Sequence, residues 1–147
     1  MTARVRVHLE GTVPVALPQS EAFELFTPTG ERRWARGWDP SFPAPVPDET
    51  TPGAVFETRG HRPTTWVVAA CERPRCITYA NVSERSRAGL VRVCCEEDRD
   101  GTTTARVTYD MTALSEDGDA SLSEFAAGYQ QFMEHWRDAI AETTGRR

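Results

Sequence analysis

Between positions 119 and 142 the apolar residues Leu122, Phe125, Ala126, Tyr129, Phe132, Met133, Trp136 and Ile140 recur at steps of three and four. That period puts them on one stripe of an α-helix. Ser121 with Glu124 three residues on reads as a capping box, and Gly145 as the point of release. A helix of this length reaches across a six- or seven-stranded sheet. Its aromatic bulk exceeds what a tight helix-to-sheet contact needs, so the same face is expected to close a cavity.

The rest of the chain mostly alternates. Over 3–13, Val5, Val7, Leu9 and Val13 fall on one side and Arg4, Arg6, His8 and Glu10 on the other, the pattern of a half-buried strand. His8 therefore points outward. Pro14 and Pro18 end this strand, and Ser20 is expected to cap a short helix carrying Phe23, Leu25 and Phe26. A second short helix is expected to hold Trp34 and Trp38 on one face at the lip of a pocket. The stretch 40–52 is too rich in proline for regular structure.

From residue 54 the pattern predicts an antiparallel meander with strands at 54–59, 64–71, 76–82, 90–97 and 103–114. A turn over 72–75 would pair Cys71 with Cys76, Ala70 with Ile77, Val68 with Tyr79 and Trp66 with Asn81. A loop ending in a left-handed Gly101 pairs Cys95 with Ala105, Val93 with Val107 and Val91 with Tyr109. The first hairpin has two registers. A four-residue loop, 60–63, turns Glu57 and Arg59 inward beside His61, whereas a five-residue loop turns Phe56 and Thr58 inward. Burying an unpaired Glu57 costs several kcal/mol, which favours the second.

The segment 18–26, the tryptophan that follows it, the run Pro52-Gly53-Ala54-Val55-Phe56 and the closing helix together make the chain resemble the START-like (SRPBCC) superfamily. This group includes the birch-pollen allergens and the polyketide cyclase/dehydrase and lipid-transport proteins. The resemblance spans residues 1–147 as one domain. It implies an α+β helix-grip fold: a curved antiparallel six- or seven-stranded sheet around a long C-terminal helix, with two short helices after the first strand. It also implies a cavity for a small hydrophobic ligand, lipid or polyketide-like. Members bind such ligands, cyclise or dehydrate them, or activate a chaperone, and fold alone does not choose among these.

On these registers the candidate ligand-binding residues are Trp34, Trp38, Trp66, Tyr79, Asn81, Tyr109, Phe125, Tyr129, Phe132 and Met133. Asn81 and the three tyrosines are the polar handles. If the four-residue loop forms, Glu57, Arg59 and His61 become the candidate catalytic set, acting as acid and base on a carbonyl compound. Met111 would complete the lining.

Composition narrows the chemistry. The 147 residues carry a formal charge of −5, which disfavours a phosphate-neutralising nucleic-acid partner. Nothing reads as a signal peptide or membrane span, so a cytoplasmic protein is expected. All 17 basic residues are arginine, so no lysine Schiff base operates here. His8, His61 and His135 lack metal spacing, and neither a metal nor another cofactor is expected. Cys71, Cys76, Cys94 and Cys95 are expected as free thiols, with a Cys71–Cys76 bridge as the alternative. The oligomeric state is left open.

Overall fold

In a computed structural model that describes residues 3–145, six strands build one sheet. They are β1 (Arg6–Val15), β2 (Val55–Thr58), β3 (Thr64–Glu72), β4 (Cys76–Ser83), β5 (Arg87–Glu97) and β6 (Thr103–Ala113). The sheet is antiparallel and curved, in the order β1-β6-β5-β4-β3-β2. β1 and β2, consecutive in sequence, are therefore its two edges. The chain between them must traverse the sheet, and does so through α1 (Gln19–Glu24), a 3-10 turn at Gly30–Arg33 and the proline-rich loop. Two helices, α2 (Glu116–Ala127) and α3 (Tyr129–Thr143), follow β6.

Hydrophobic alternation selects the registers. Val91 faces Tyr109, Val93 faces Val107 and Cys95 faces Ala105, with Gly101 left-handed at φ +84°. In the first hairpin Phe56 faces Trp66 and Thr58 faces Thr64, the five-residue-loop register. Phe56 is fully buried and Glu57 is exposed. The β3–β4 hairpin differs from expectation at its tip: Glu72 pairs with Cys76, Cys71 with Ile77 and Ala70 with Thr78. A bulge between Val68 and Ala70 absorbs the extra residue, so Val68 still faces Tyr79 and Trp66 still faces Asn81.

The closing helix is interrupted once, at Gly128. Gly128 donates to the Glu124 carbonyl and Phe132 to the Gly128 carbonyl, so the ladder runs through the interruption. The cap is Ser115, whose hydroxyl accepts from the Gly118 amide at 3.0 Å. Ser121 is instead an interior helix residue. α2 packs on β6 and α3 crosses β1, where Gly11 leaves room for the side chains of Met133 and Tyr129. A Cβ at Gly11 would stand 2.8 Å from Met133 Cγ.

Two local expectations at the front of the chain are corrected. α1 starts directly after Pro18, with no side-chain cap from Ser20. Trp34 and Trp38 follow the 3-10 turn rather than forming a helix, because Gly37 takes φ +80° between them.

Cys76 and Cys94 are disulfide-bonded, which corrects the expectation of four free thiols and of a Cys71–Cys76 alternative. The reason is register: they lie directly opposite on β4 and β5, 4.1 Å apart at Cα. Cys71 and Cys95 are free, and burial pushes the Cys95 thiol up to about 12.

Candidate functional site

A cleft of about 800 Å³ opens between the inner face of the sheet, α3 and the segment that crosses from β1 to β2. Alternation supplies the sheet wall: Val91 and Val93 from β5, Tyr79 from β4, Trp66 from β3, Thr58 from β2 and Tyr109 from β6. Helical spacing supplies the opposite wall, with Phe132, Trp136, Ala139 and Thr143. Glu31, Trp34 and Trp38 come from the crossing segment.

The aromatic rings are held in a lattice. Trp34 donates its indole N–H to the Leu25 carbonyl at 2.7 Å and Trp38 to the Pro28 carbonyl at 2.7 Å. Trp66 donates to Thr58 Oγ1 at 3.0 Å. Trp38 meets Trp66 edge-on at 5.4 Å between centroids, and Phe132 meets Trp136 at 5.5 Å. Trp34, Trp38 and Trp66 are thus fixed at their polar edges, and all three line the cleft. The Thr143 hydroxyl donates to the Arg33 carbonyl and ties the end of α3 to the 3-10 turn.

Arg33, Arg36, His135, Asp138 and Glu142 line the cleft as exposed groups, and Glu31 is its buried acidic residue. Only 8 % exposed, it carries a carboxyl with no hydrogen-bond or ion-pair partner among the described residues. Burial holds its carboxyl well above the ordinary value, toward the protonated form. Burial first, and then the neighbouring Glu31, also raises the hydroxyls of Tyr79 and Tyr109. Tyr79 donates its hydroxyl to the Phe26 carbonyl at 2.7 Å, whereas the Tyr109 hydroxyl has no partner among the described residues. Glu31 and Tyr109 are therefore two inner groups free to address something in the cleft, whose exposed rim also carries Arg33, Arg36, His135, Asp138 and Glu142.

Of the residues expected to bind a ligand, Trp34, Trp38, Trp66, Tyr79, Tyr109 and Phe132 line the cleft. Asn81, Phe125, Tyr129 and Met133 do not. Phe125 lies behind the lining, 5.2 Å from the Tyr109 ring. Tyr129 donates to the Val107 carbonyl at 3.0 Å and, with Met133, turns toward a second recess between β1 and α3. Asn81 is buried on the inner face of the sheet, its side-chain amide without a partner among the described residues.

Glu57, Arg59 and His61 are all exposed and none lines the cleft, because the five-residue loop turns Glu57 to the outer face and leaves the other two in the hairpin turn. Glu57 exchanges backbone hydrogen bonds with Ser41. Glu31 escaped sequence reasoning: it sits in the polar run Gly30-Glu31-Arg32-Arg33, which reads as a solvated turn. The one available signal was the position of this run between the buried Phe26 and Trp34.

No family model and no curated protein matches the chain. Solved structures do. Norcoclaurine synthase from Thalictrum flavum aligns over 99 % of this chain and 90 % of its own, with a TM-score of 0.69 at 7 % identity. CalU16 from Micromonospora echinospora aligns over 97 % of this chain and 80 % of its own, with a TM-score of 0.63 at 20 % identity. This chain has the helix-grip fold. An uncharacterized protein from Rhizobium leguminosarum shares it, with a TM-score of 0.66 at 17 % identity, covering 99 % of this chain and 100 % of that one. At such identities the likeness speaks to fold, and the site must be argued from its own residues. Among the described residues no helix is long and apolar enough to cross a membrane.

Proposed function

We propose that this helix-grip chain binds a small, largely apolar and aromatic molecule, polyketide-like in shape, in the cleft between the sheet and α3. One observation carries the reading: a cleft of about 800 Å³ lined by aromatic rings holds a buried carboxyl with no partner among the described residues. Its size falls in the range of small-molecule pockets, as does its mix of apolar wall and few polar groups. A buried acid without a partner is costly, and a ligand carbonyl or hydroxyl that hydrogen-bonds it would offset that cost. Norcoclaurine synthase and CalU16 support the reading at the level of fold.

Native mass spectrometry of freshly purified protein, followed by denaturing extraction, tests it. A co-purified apolar compound at near-stoichiometric level is the expected result. The reading falls if the protein is clean and a panel of polycyclic aromatic carbonyl compounds leaves tryptophan fluorescence unchanged at high micromolar concentration.

Glu31 favours a second reading, in which the bound molecule is also turned over. A carboxyl held toward its protonated form can donate a proton to a ligand carbonyl, the step that begins a cyclisation or a dehydration. Tyr109 would hydrogen-bond the same oxygen. Glu31→Gln should then abolish turnover while retaining ligand binding, and unchanged turnover in that variant removes Glu31 from the chemistry.

A further inference from the structure

Where α2 passes the β2–β3 turn, two arginines converge on one hydroxyl. Arg87 Nη2 donates to Ser121 Oγ at 2.6 Å and Arg62 Nη2 donates to the same oxygen at 3.0 Å. Neither guanidinium has a carboxylate partner among the described residues, although most of the ion pairs join arginine to an acid. Arg87 Nε is buried with no acceptor among the described residues. Ser121 Oγ accepts twice and donates to no acceptor among the described residues. Two guanidinium groups thus share one serine oxygen, and two positive charges stand side by side. Burial, and then the charge of Arg62, press the Arg87 guanidinium below its usual range. Such a cluster is unbalanced as it stands: two like charges at short range repel, and unused guanidinium donors are costly to bury.

None of Arg62, Arg87 and Ser121 lines the cleft, but the cluster borders residues that do. Arg87 is on the same face of β5 as Val91 and Val93, two of the lining residues, and Gly60 of the turn that carries Arg62 also lines the cleft. The Arg87 guanidinium stacks over Phe125 at 5.4 Å, and Phe125 meets Tyr109, another lining residue. The unpartnered Asn81 amide is on this inner face too, paired in register with Gly89, two residues from Arg87.

We propose that Arg62, Arg87 and Ser121 form an oxyanion site that takes the carboxylate of the molecule bound in the cleft. The inference deepens the ligand-binding reading and rests on it for the source of the carboxylate, since a small free anion has the same chemistry. Guanidinium groups engage carboxylates through paired charge-assisted hydrogen bonds, and neither Arg62 nor Arg87 has a carboxylate partner among the described residues. The ligand class is accordingly an anionic aromatic amphiphile, its ring system between the tryptophans and its acid at the α2 end.

The test compares anthracene-2-carboxylate with its methyl ester by titration against the intact protein, with acetate and inorganic phosphate as small-anion probes in a thermal-shift assay. The acid should bind roughly tenfold or more tightly than the ester, a preference that weakens with added salt. Arg87→Gln should bring the acid to the affinity of the ester and leave the ester unchanged. Arg62→Gln serves as the independent variant, expected to lose part of the preference, should Arg87→Gln fold poorly. Equal affinity of acid and ester in the wild type overturns the oxyanion site and leaves the aromatic cleft standing. If neither aromatic binds but phosphate or acetate stabilises the wild type and not the variants, the anion site stands with a free anion as occupant and the cleft reading falls. If none of the four probes binds, both fall.

Discussion

The indole of Trp34, just after the 3-10 turn, meets the indole of Trp136, in the middle of α3, edge-to-face with centroids 4.9 Å apart. Phe26 packs against both, at 5.9 and 6.3 Å. This contact joins the segment that crosses the sheet to the helix that closes it, and gives the cleft one of its walls. Trp136→Ala should therefore cost about 3 kcal/mol, near the lower end for a large aromatic because one edge of the ring is exposed. Urea denaturation measures it, and a cost below about 1 kcal/mol would mean that this wall contributes little to stability.

Glu31 has a stability signature with a defined sign. Its folded value is raised above the ordinary 4.5, so between about 4.5 and that raised value the folded state holds a proton that the unfolded chain has released. Stability from this group is present below pH 4.5 and is lost as the pH rises through the folded value. Glu31→Gln lacks that loss. Its melting temperature should match that of the wild type near pH 4 and exceed it increasingly toward pH 8. A difference independent of pH would show that Glu31 does not titrate abnormally.

The two cleft tyrosines should respond oppositely to loss of the hydroxyl. Tyr79→Phe removes a buried hydrogen bond to the Phe26 carbonyl and should cost roughly 1 to 3 kcal/mol. Tyr109→Phe removes a hydroxyl with no partner among the described residues and should change stability by less than about 0.5 kcal/mol, while weakening binding of a ligand that carries an oxygen. Denaturation of both variants beside a binding titration checks this. Equal stability costs would mean that Tyr109 is an ordinary core residue.

The Cys76–Cys94 bridge closes a separation of 18 residues, for which the loop-entropy argument assigns about 3 kcal/mol of stabilisation. A Cys76→Ser/Cys94→Ser double variant should lose about this much, and reductant should destabilise the wild type without affecting the variant. Cys71→Ser should match the wild type. If reductant leaves the wild-type midpoint unchanged, the bridge is not formed in solution.

What was legible in the sequence was what periodicity and the cost of burying charge decide. The alternation from Val91 to Cys95 against Ala105 to Tyr109 leaves only one register that keeps apolar side chains together, and the structure has it. The same reasoning turned Phe56 inward and Glu57 outward. The stripe of 122–140 identified the closing helix and, with Phe132 and Trp136, one wall of the cleft. The helix start was missed because Ser115 and Ser121 both precede acidic residues, and only the position of Arg62 and Arg87 shows which hydroxyl is engaged elsewhere.

Other features depend on contacts between residues distant in the chain, and local pattern carries no record of those. Ala69 is one small residue in an apolar strand, yet its bulge decides that Cys71 faces Ile77, and the pairing of β4 with β5 decides that Cys76 meets Cys94. Glu31 belongs to a polar run that looks solvated. It becomes a buried acid because β1 and β2 are opposite edges of one sheet, which forces the run between them over the cleft. Arg62 and Arg87, apart in sequence and each ordinary on its own, acquire their meaning when α2 brings Ser121 between them. Periodicity set the walls of this protein, since burial of apolar surface is decided residue by residue; its chemistry arose from tertiary structure, since charge is read only against its neighbours in space.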